Sequence, residues 1–175
     1  MTLNLLVIAI IGLSGLLWAS PQKGRGLFSA LIHLACVLVA GGLAFALWEP
    51  IVYGFLLKSA PDQAWCLGLL VPFAVCLVIL RVLTDVTISK NLDISDALNF
   101  GGGFVFGGLA GVVTAGMVVL GVSHLRVGKD FLGYSPLSFN GGSLVGDKKL
   151  WVPADRLTVA LYEGLSKGGF GIDSG

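Results

Sequence analysis

The chain has 175 residues, of which 55% are hydrophobic and only 12% charged, and its mean hydropathy is +0.91. A soluble domain carries about 25% charged residues, so this chain has too little polar surface to cover a water-soluble globule. Its formal net charge of +1 supplies no bulk field that would gather nucleic acid. The 26 glycines are about twice the usual share of roughly 7%, and membrane helices use glycine for close packing.

Residues 3–19, LNLLVIAIIGLSGLLWA, contain no Lys, Arg, Asp or Glu and lie near the lower length limit of about 17 residues for a membrane span. A cleaved signal peptide is the competing reading. Only Met1-Thr2 precedes the run, without positive charge, and Trp18-Ala19-Ser20 runs directly into Pro21, which makes a poor cleavage site. A retained first helix is expected. The stretch 20–26, SPQKGRG, is a turn-rich basic loop that puts Lys23 and Arg25 at the membrane surface.

The second apolar run, 27–48, has His33 as its one ionisable residue. Trp48 and Tyr53 suit the interfacial aromatic belt, and Glu49-Pro50 is expected to stop the helix because proline cannot continue the backbone ladder. The third run, 64–82, is edged by Trp65 and Arg81 and carries Pro72 in its middle, where a membrane helix tolerates it with a kink. Residues 84–99 are polar and read as a loop or short interfacial helix, with Asp93 and Asp96 placed to favour a helix start. The fourth run, 100–122, is uncharged and long enough to span. Cys36, Cys66 and Cys76 all lie within apolar runs, without metal-ligand spacing, and read as small buried apolar residues.

Residues 123–175 form a polar tail. Residues 128–147 are rich in Gly, Ser and Asn and read as loop. Residues 153–167 read as one amphipathic helix, with Leu157, Ala160, Leu161 and Leu165 at i, i+3, i+4 spacing, Pro153 suited to the first turn and Gly168-Gly169 to the stop. Trp151 is an expected headgroup anchor. This helix either lies on the membrane or a partner or packs on the other loops.

Gly103, Gly107, Gly111 and Ala115 recur every four residues and form one smooth helical stripe. Such a stripe lets a second backbone approach closely, either within the bundle, against the first or second span, or as a self-association or channel-forming seam. His33, as an ionisable group inside a span, is a candidate polar site. Arg81 and Asp85, at i, i+4, are placed to pair on one face. His33 and His124 belong to different spans and define no metal site. No Walker loop, H-E-x-x-H or G-x-S-x-G pattern occurs, so no catalytic residue, cofactor or nucleic-acid partner is expected. Lys23, Arg25, Arg81 and Lys90 on one side, against Lys58, Arg126 and Lys129 on the other, favour both termini outside.

Two stretches together resemble the colicin V production (CvpA) family of bacterial inner-membrane proteins. One is 12–50, an apolar span followed by Lys23-Gly24-Arg25-Gly26-Leu27-Phe28 and a second span with Ala30-Leu31 and Ala44-Phe45. The other is Ser95-Asp96-Ala97-Leu98-Asn99 leading into Phe106-Gly107-Gly108-Leu109-Ala110-Gly111-Val112-Val113. The resemblance covers roughly residues 5–122 and departs from the family at Ala110, where the family often has Arg, and in the longer turn with Ser20-Pro21-Gln22. It implies bacterial inner-membrane residence and a part in colicin V (toxin) production or envelope maintenance. The expectation is therefore an all-α, four-transmembrane-helix bundle over 1–122 with a polar C-terminal tail. The chain would be non-enzymatic and act as a scaffold or oligomeric component, with the lipid bilayer, further copies or other membrane subunits as partners. An accessory subunit of a larger membrane complex and a small channel or transporter remain the alternatives.

Overall fold

The computed structural model describes residues 2–20, 26–88, 95–125, 138–140, 143–145 and 150–169. Helices dominate it. In chain order they are α1 (Thr2–Ala19), α2 (Leu27–Ile51), a π-helical turn (Val52–Leu56), the short α3 (Leu57–Ser59), α4 (Ala64–Thr87), α5 (Asp96–Ser123) and α6 (Ala154–Gly169). Three stretches are long and apolar enough to cross a membrane: Leu27–Ser59, Ala64–Thr87 and Asp96–Ser123. Leu3–Ala19 is a shorter apolar helix.

α2 does not stop at Glu49-Pro50, contrary to the sequence expectation. It runs through Pro50 to Ile51 and on through the π turn to Ser59. Proline removes one backbone donor and its ring crowds the preceding turn. The helix nevertheless continues through Pro50, as membrane helices can, and passes into the π turn. The polar stretch 84–99 is likewise divided between two helices. Thr84–Thr87 completes α4, and Asp96 opens α5. Ser95, with extended backbone, precedes that first turn, and Asp96 places negative charge there. Asp93 lies outside the described residues. Within the stretch read as loop, Ser138–Asn140 pairs antiparallel with Ser143–Val145 as a two-stranded hairpin, β1 and β2.

α5 is the central helix, packed against α1, α2, α4 and α6. Ten of its residues are buried, five of them Gly103, Gly107, Gly111, Gly116 and Gly121. The helices run up and down. Asn99 at the start of α5 meets Gly26 and Leu27 at the start of α2, and Trp18 at the end of α1 meets Gly103. At the other end, Gly121 meets Leu70 of α4, and Gly68 of α4 meets Val52. The α1–α2 and α4–α5 connections therefore share one end, opposite the α2–α4 connection, the start of α1 and the end of α5. The core cluster joins Val37, Ala40 and Ala44 of α2, Leu69 and Phe73 of α4, and Ala110, Val113 and Met117 of α5. The outer surface is apolar along every long helix, as at Leu13, Leu17, Val39, Leu43, Val75, Val78, Phe104 and Leu109.

Candidate functional site

The glycine stripe faces α1. A Cβ on Gly103 would lie 2.4 Å from the Trp18 carbonyl oxygen, and one on Gly107 would lie 2.9 Å from the Ser14 carbonyl oxygen. On Gly111 it would lie 2.9 Å from the Ile11 Cα. One turn on, Ala115 is fully buried in a second cluster with Leu3 and Val7 of α1 and with Ala154. Ser14 Oγ donates to the Gly107 carbonyl at 2.7 Å, a bond that the missing side chains allow. Of the readings left open by the spacing, the structure takes packing within the chain. The stripe is occupied by α1 and is not an open seam for a second copy.

The three polar residues singled out from sequence come together through a fourth that was not. Trp18, from the end of α1, stacks on His33 with ring centroids 4.8 Å apart. The Arg81 guanidinium lies 4.7 Å from the centroid of the same Trp18 ring, a cation–π arrangement. Arg81 Nη2 also donates to Ser29 Oγ at 3.0 Å and pairs with Asp85 Oδ1 at 2.7 Å. The i, i+4 pair expected from sequence therefore forms, at the end of the bundle where α1 stops and α2 begins. Asp85 is more than half exposed and Arg81 about one-fifth. His33 Nδ1 is buried without a hydrogen-bond partner. Beside it is a cavity of about 390 Å3, lined by Ile10, Leu13, Ser14, Leu17 and Trp18 of α1 and by His33 of α2. It exists because α1 packs on α5 along its length while touching α2 only slightly.

α6 is amphipathic, and the face it packs against the bundle is not the leucine face. Leu157, Leu161 and Leu165 are exposed at 51%, 37% and 49%, while Ala154 and Thr158 are buried and Tyr162 is half-buried. Thr158 fills the space over Gly116, and Tyr162 fills that over Gly41. The Tyr162 hydroxyl donates to the Leu38 carbonyl at 2.9 Å and stands edge-on to Phe45. Burial pushes its phenol pKa up to about 12. The contact surface offers two side-chain gaps and a backbone acceptor, which suit Thr and Tyr better than Leu. Glu163 and Lys167 form a surface pair, and that hydrogen bond lowers the Glu163 pKa. Just before α6, Trp151 is 65% exposed and its backbone N–H donates to Asn4 Oδ1 at 2.9 Å. Lys23 and Arg25, expected at the membrane surface, lie outside the described residues.

Among the described residues, no three His, Cys, Asp or Glu side chains gather as a metal site. Cys36 and Cys66 are buried and Cys76 is half-buried, all as free thiols. The class these observations define is a helical, multi-pass, membrane-embedded protein centred on a glycine-lined helix. Comparison with known families, curated proteins and solved structures finds no match to this chain.

Proposed function

We propose that the chain is a four-span protein of the bacterial inner membrane, of the colicin V production type, acting without catalysis as a scaffold in envelope maintenance or toxin production. The observation that carries the four-span reading is the packing of α1. It lies along the glycine face of α5 from Gly103 to Ala115, while Leu5, Leu13, Leu16 and Leu17 are exposed. A helix that shares its length with a spanning helix and turns leucines outward belongs in the same apolar layer. Its shorter apolar stretch is accommodated by local thinning or flanking residues at modest cost. The scaffold reading is supported by the ties of the polar cluster, in which Arg81 links α4 to Trp18 of α1 and Ser29 of α2.

This arrangement puts the start of α1 and the α2–α4 connection on one side, and both termini outside is the orientation proposed. Single cysteines introduced at Thr2, Ser20, Lys58 and Asp96 in a cysteine-free background test it with a membrane-impermeant thiol reagent. Thr2 and Lys58 should label from the outer side, and Ser20 and Asp96 only from the inner side. Labelling of Thr2 and Ser20 from the same side would overturn the four-span reading. Mass determination after gentle extraction separates a self-contained scaffold from an accessory subunit, which would emerge in a large heteromeric particle. The cavity at His33 is walled mainly by α1, so it supports a lateral cleft better than a path through the bundle.

A further inference from the structure

We propose that α6 pairs with α6 of a second copy of this chain, antiparallel, about a two-fold axis that passes beside Ala160 along the direction of the bundle helices. Arg156 of each copy then meets the partner's Glu163. The inference rests on the membrane reading above. Copies inserted in one bilayer share one orientation, and a two-fold axis along the membrane normal preserves it.

Three observations carry it. The first is that α6 lies across the bundle. Thr158 fills the gap at Gly116 of α5, and Tyr162 fills that at Gly41 of α2. These two helices start side by side, with Leu27 against Gly102, and Gly41 and Gly116 each lie fourteen residues further on. The two gaps are therefore level. Two crosswise helices related by an axis along the bundle run antiparallel, whereas a parallel pair would turn one copy upside down. The second is that the face turned away from the bundle is complementary to itself. With Ala154, Thr158 and Tyr162 inward, a period of about 3.6 residues brings Arg156, Ala160, Glu163 and Lys167 to the opposite side, and all four are exposed. Arg156 lies four residues before Ala160 and Glu163 three after it. An antiparallel register centred on Ala160 therefore sets Arg156 opposite the partner's Glu163 within about 1.5 Å along the helix axis, and symmetry makes the contact twice. The third is that Arg156 has no ion pair among the described residues, and Glu163 holds Lys167 through one oxygen, Oε1. A carboxylate accepts from two cations at once, so Arg156 adds to that pair without displacing it. Ala160, at the axis, is small enough to let the two helices close in.

One helix pair falls short of the roughly 1,200 Å2 that specific, stable interfaces bury, so the test keeps the full chain in its membrane. Cys36, Cys66 and Cys76 are replaced by alanine, and one cysteine is introduced on α6. Oxidation with copper phenanthroline is then read as disulfide-linked dimer on a non-reducing gel. Ala160→Cys should cross-link several-fold more than Leu165→Cys, a position that is also exposed but whose two copies stand roughly 15 Å apart in this register. Arg156→Glu in the Ala160→Cys chain sets two carboxylates against each other and should lower the yield several-fold. Glu163→Arg should do the same, and the two reversals together should restore it. Protease resistance of α6 should stay unchanged throughout, because Thr158 and Tyr162 hold it on the bundle. If a reversal loosens α6, Arg156→Gln takes its place and should also lower the yield. Equal yields at Ala160 and Leu165, or none at Ala160, would overturn the pairing while leaving the membrane reading intact. A loss that the double reversal does not rescue also overturns it, since the register rests on these charges. Release of the chain from membranes by alkaline carbonate would instead overturn the membrane reading on which the pairing depends.

Discussion

A close approach of two backbones in the bundle, Gly103 against the Trp18 carbonyl, gives a quantitative prediction. In Gly103→Ala the new methyl carbon would lie 2.4 Å from that oxygen, 3.0 Å from the carbonyl carbon and 3.3 Å from the Ala19 Cα. Comfortable contact begins near 3.5 Å, so α1 must withdraw by about 1 Å. All three neighbours are backbone atoms, and no rotamer change can yield the space. Gly108, on the same helix, has nothing within 4 Å of its would-be Cβ. Both substitutions gain the same intrinsic helix preference of alanine over glycine, about 1 kcal/mol. That gain cancels in the comparison and leaves the overpacking cost, roughly 1–3 kcal/mol. Gly103→Ala should therefore be less stable than Gly108→Ala by about this amount in reversible unfolding of the purified chain in mixed micelles. Equal stability of the two variants would show that α1 does not lie on this face of α5. A changed oligomeric state in Gly103→Ala, at unchanged monomer stability, would assign the stripe to contact between copies.

The other predictions concern α6 and the polar cluster. Tyr162→Phe removes the bond to the Leu38 carbonyl and should cost about 0.5–1.5 kcal/mol, read as faster proteolytic release of α6. The docked helix favours the neutral phenol, so with a pKa raised from 10.0 to about 12 its contribution is full below pH 10 and is lost as pH rises towards 12. Protease susceptibility of α6 should rise across that window in the parent chain and not in Tyr162→Phe. Thr158→Val deletes a buried hydroxyl that has no partner and should leave stability unchanged or raise it by about 1 kcal/mol, measured by thermal unfolding. Asp85→Asn weakens one tie of Arg81 while leaving the contacts to Trp18 and Ser29, and at an exposed carboxylate the loss should stay below about 1 kcal/mol. Trp18→Leu cuts the link among three helices and should destabilise more than Asp85→Asn in the same assay.

Much of the helical framework was legible because its signals are local. The uncharged runs located α1, the beginning of α2, α4 and α5, and the four-residue spacing marked the close-packing face of α5. The spacing could not name the occupant of that face, since a second copy and α1 make the same demand on glycine. Pro50 misled because a helix that runs on through proline, as a membrane helix can, has no sequence signature that opposes the usual rule. Arg81 and Asp85 were readable as an i, i+4 pair. Their meeting with His33 was not, because Trp18 joins them from a third helix and only tertiary structure brings the four together. In α6 the leucine periodicity marked the exposed face and gave no sign of the face that docks on the bundle. Gly41 and Gly116 create gaps on α2 and α5, and those gaps select Tyr162 and Thr158 over the larger apolar stripe.

That choice of face has a consequence for how α6 is held. Gly116, under Thr158, precedes the last residue of α5 by seven positions, or about 10 Å along the helix axis. α6 is therefore seated well inward of the end of α5, with Tyr162 at the level of Leu38 and Gly41. Its attachment is narrow and partly polar: Ala154, one unpaired threonine hydroxyl and one tyrosine hydrogen bond. Leu157 and Leu161 remain outside that contact and stay exposed, so they add nothing to the hold on the bundle. Docking of α6 thus depends on shape at two glycines and one backbone carbonyl, whereas the four apolar helices depend on continuous close packing. Loss of α6 should leave α1 on α5, because the Gly103–Gly111 contacts with α1 do not pass through it.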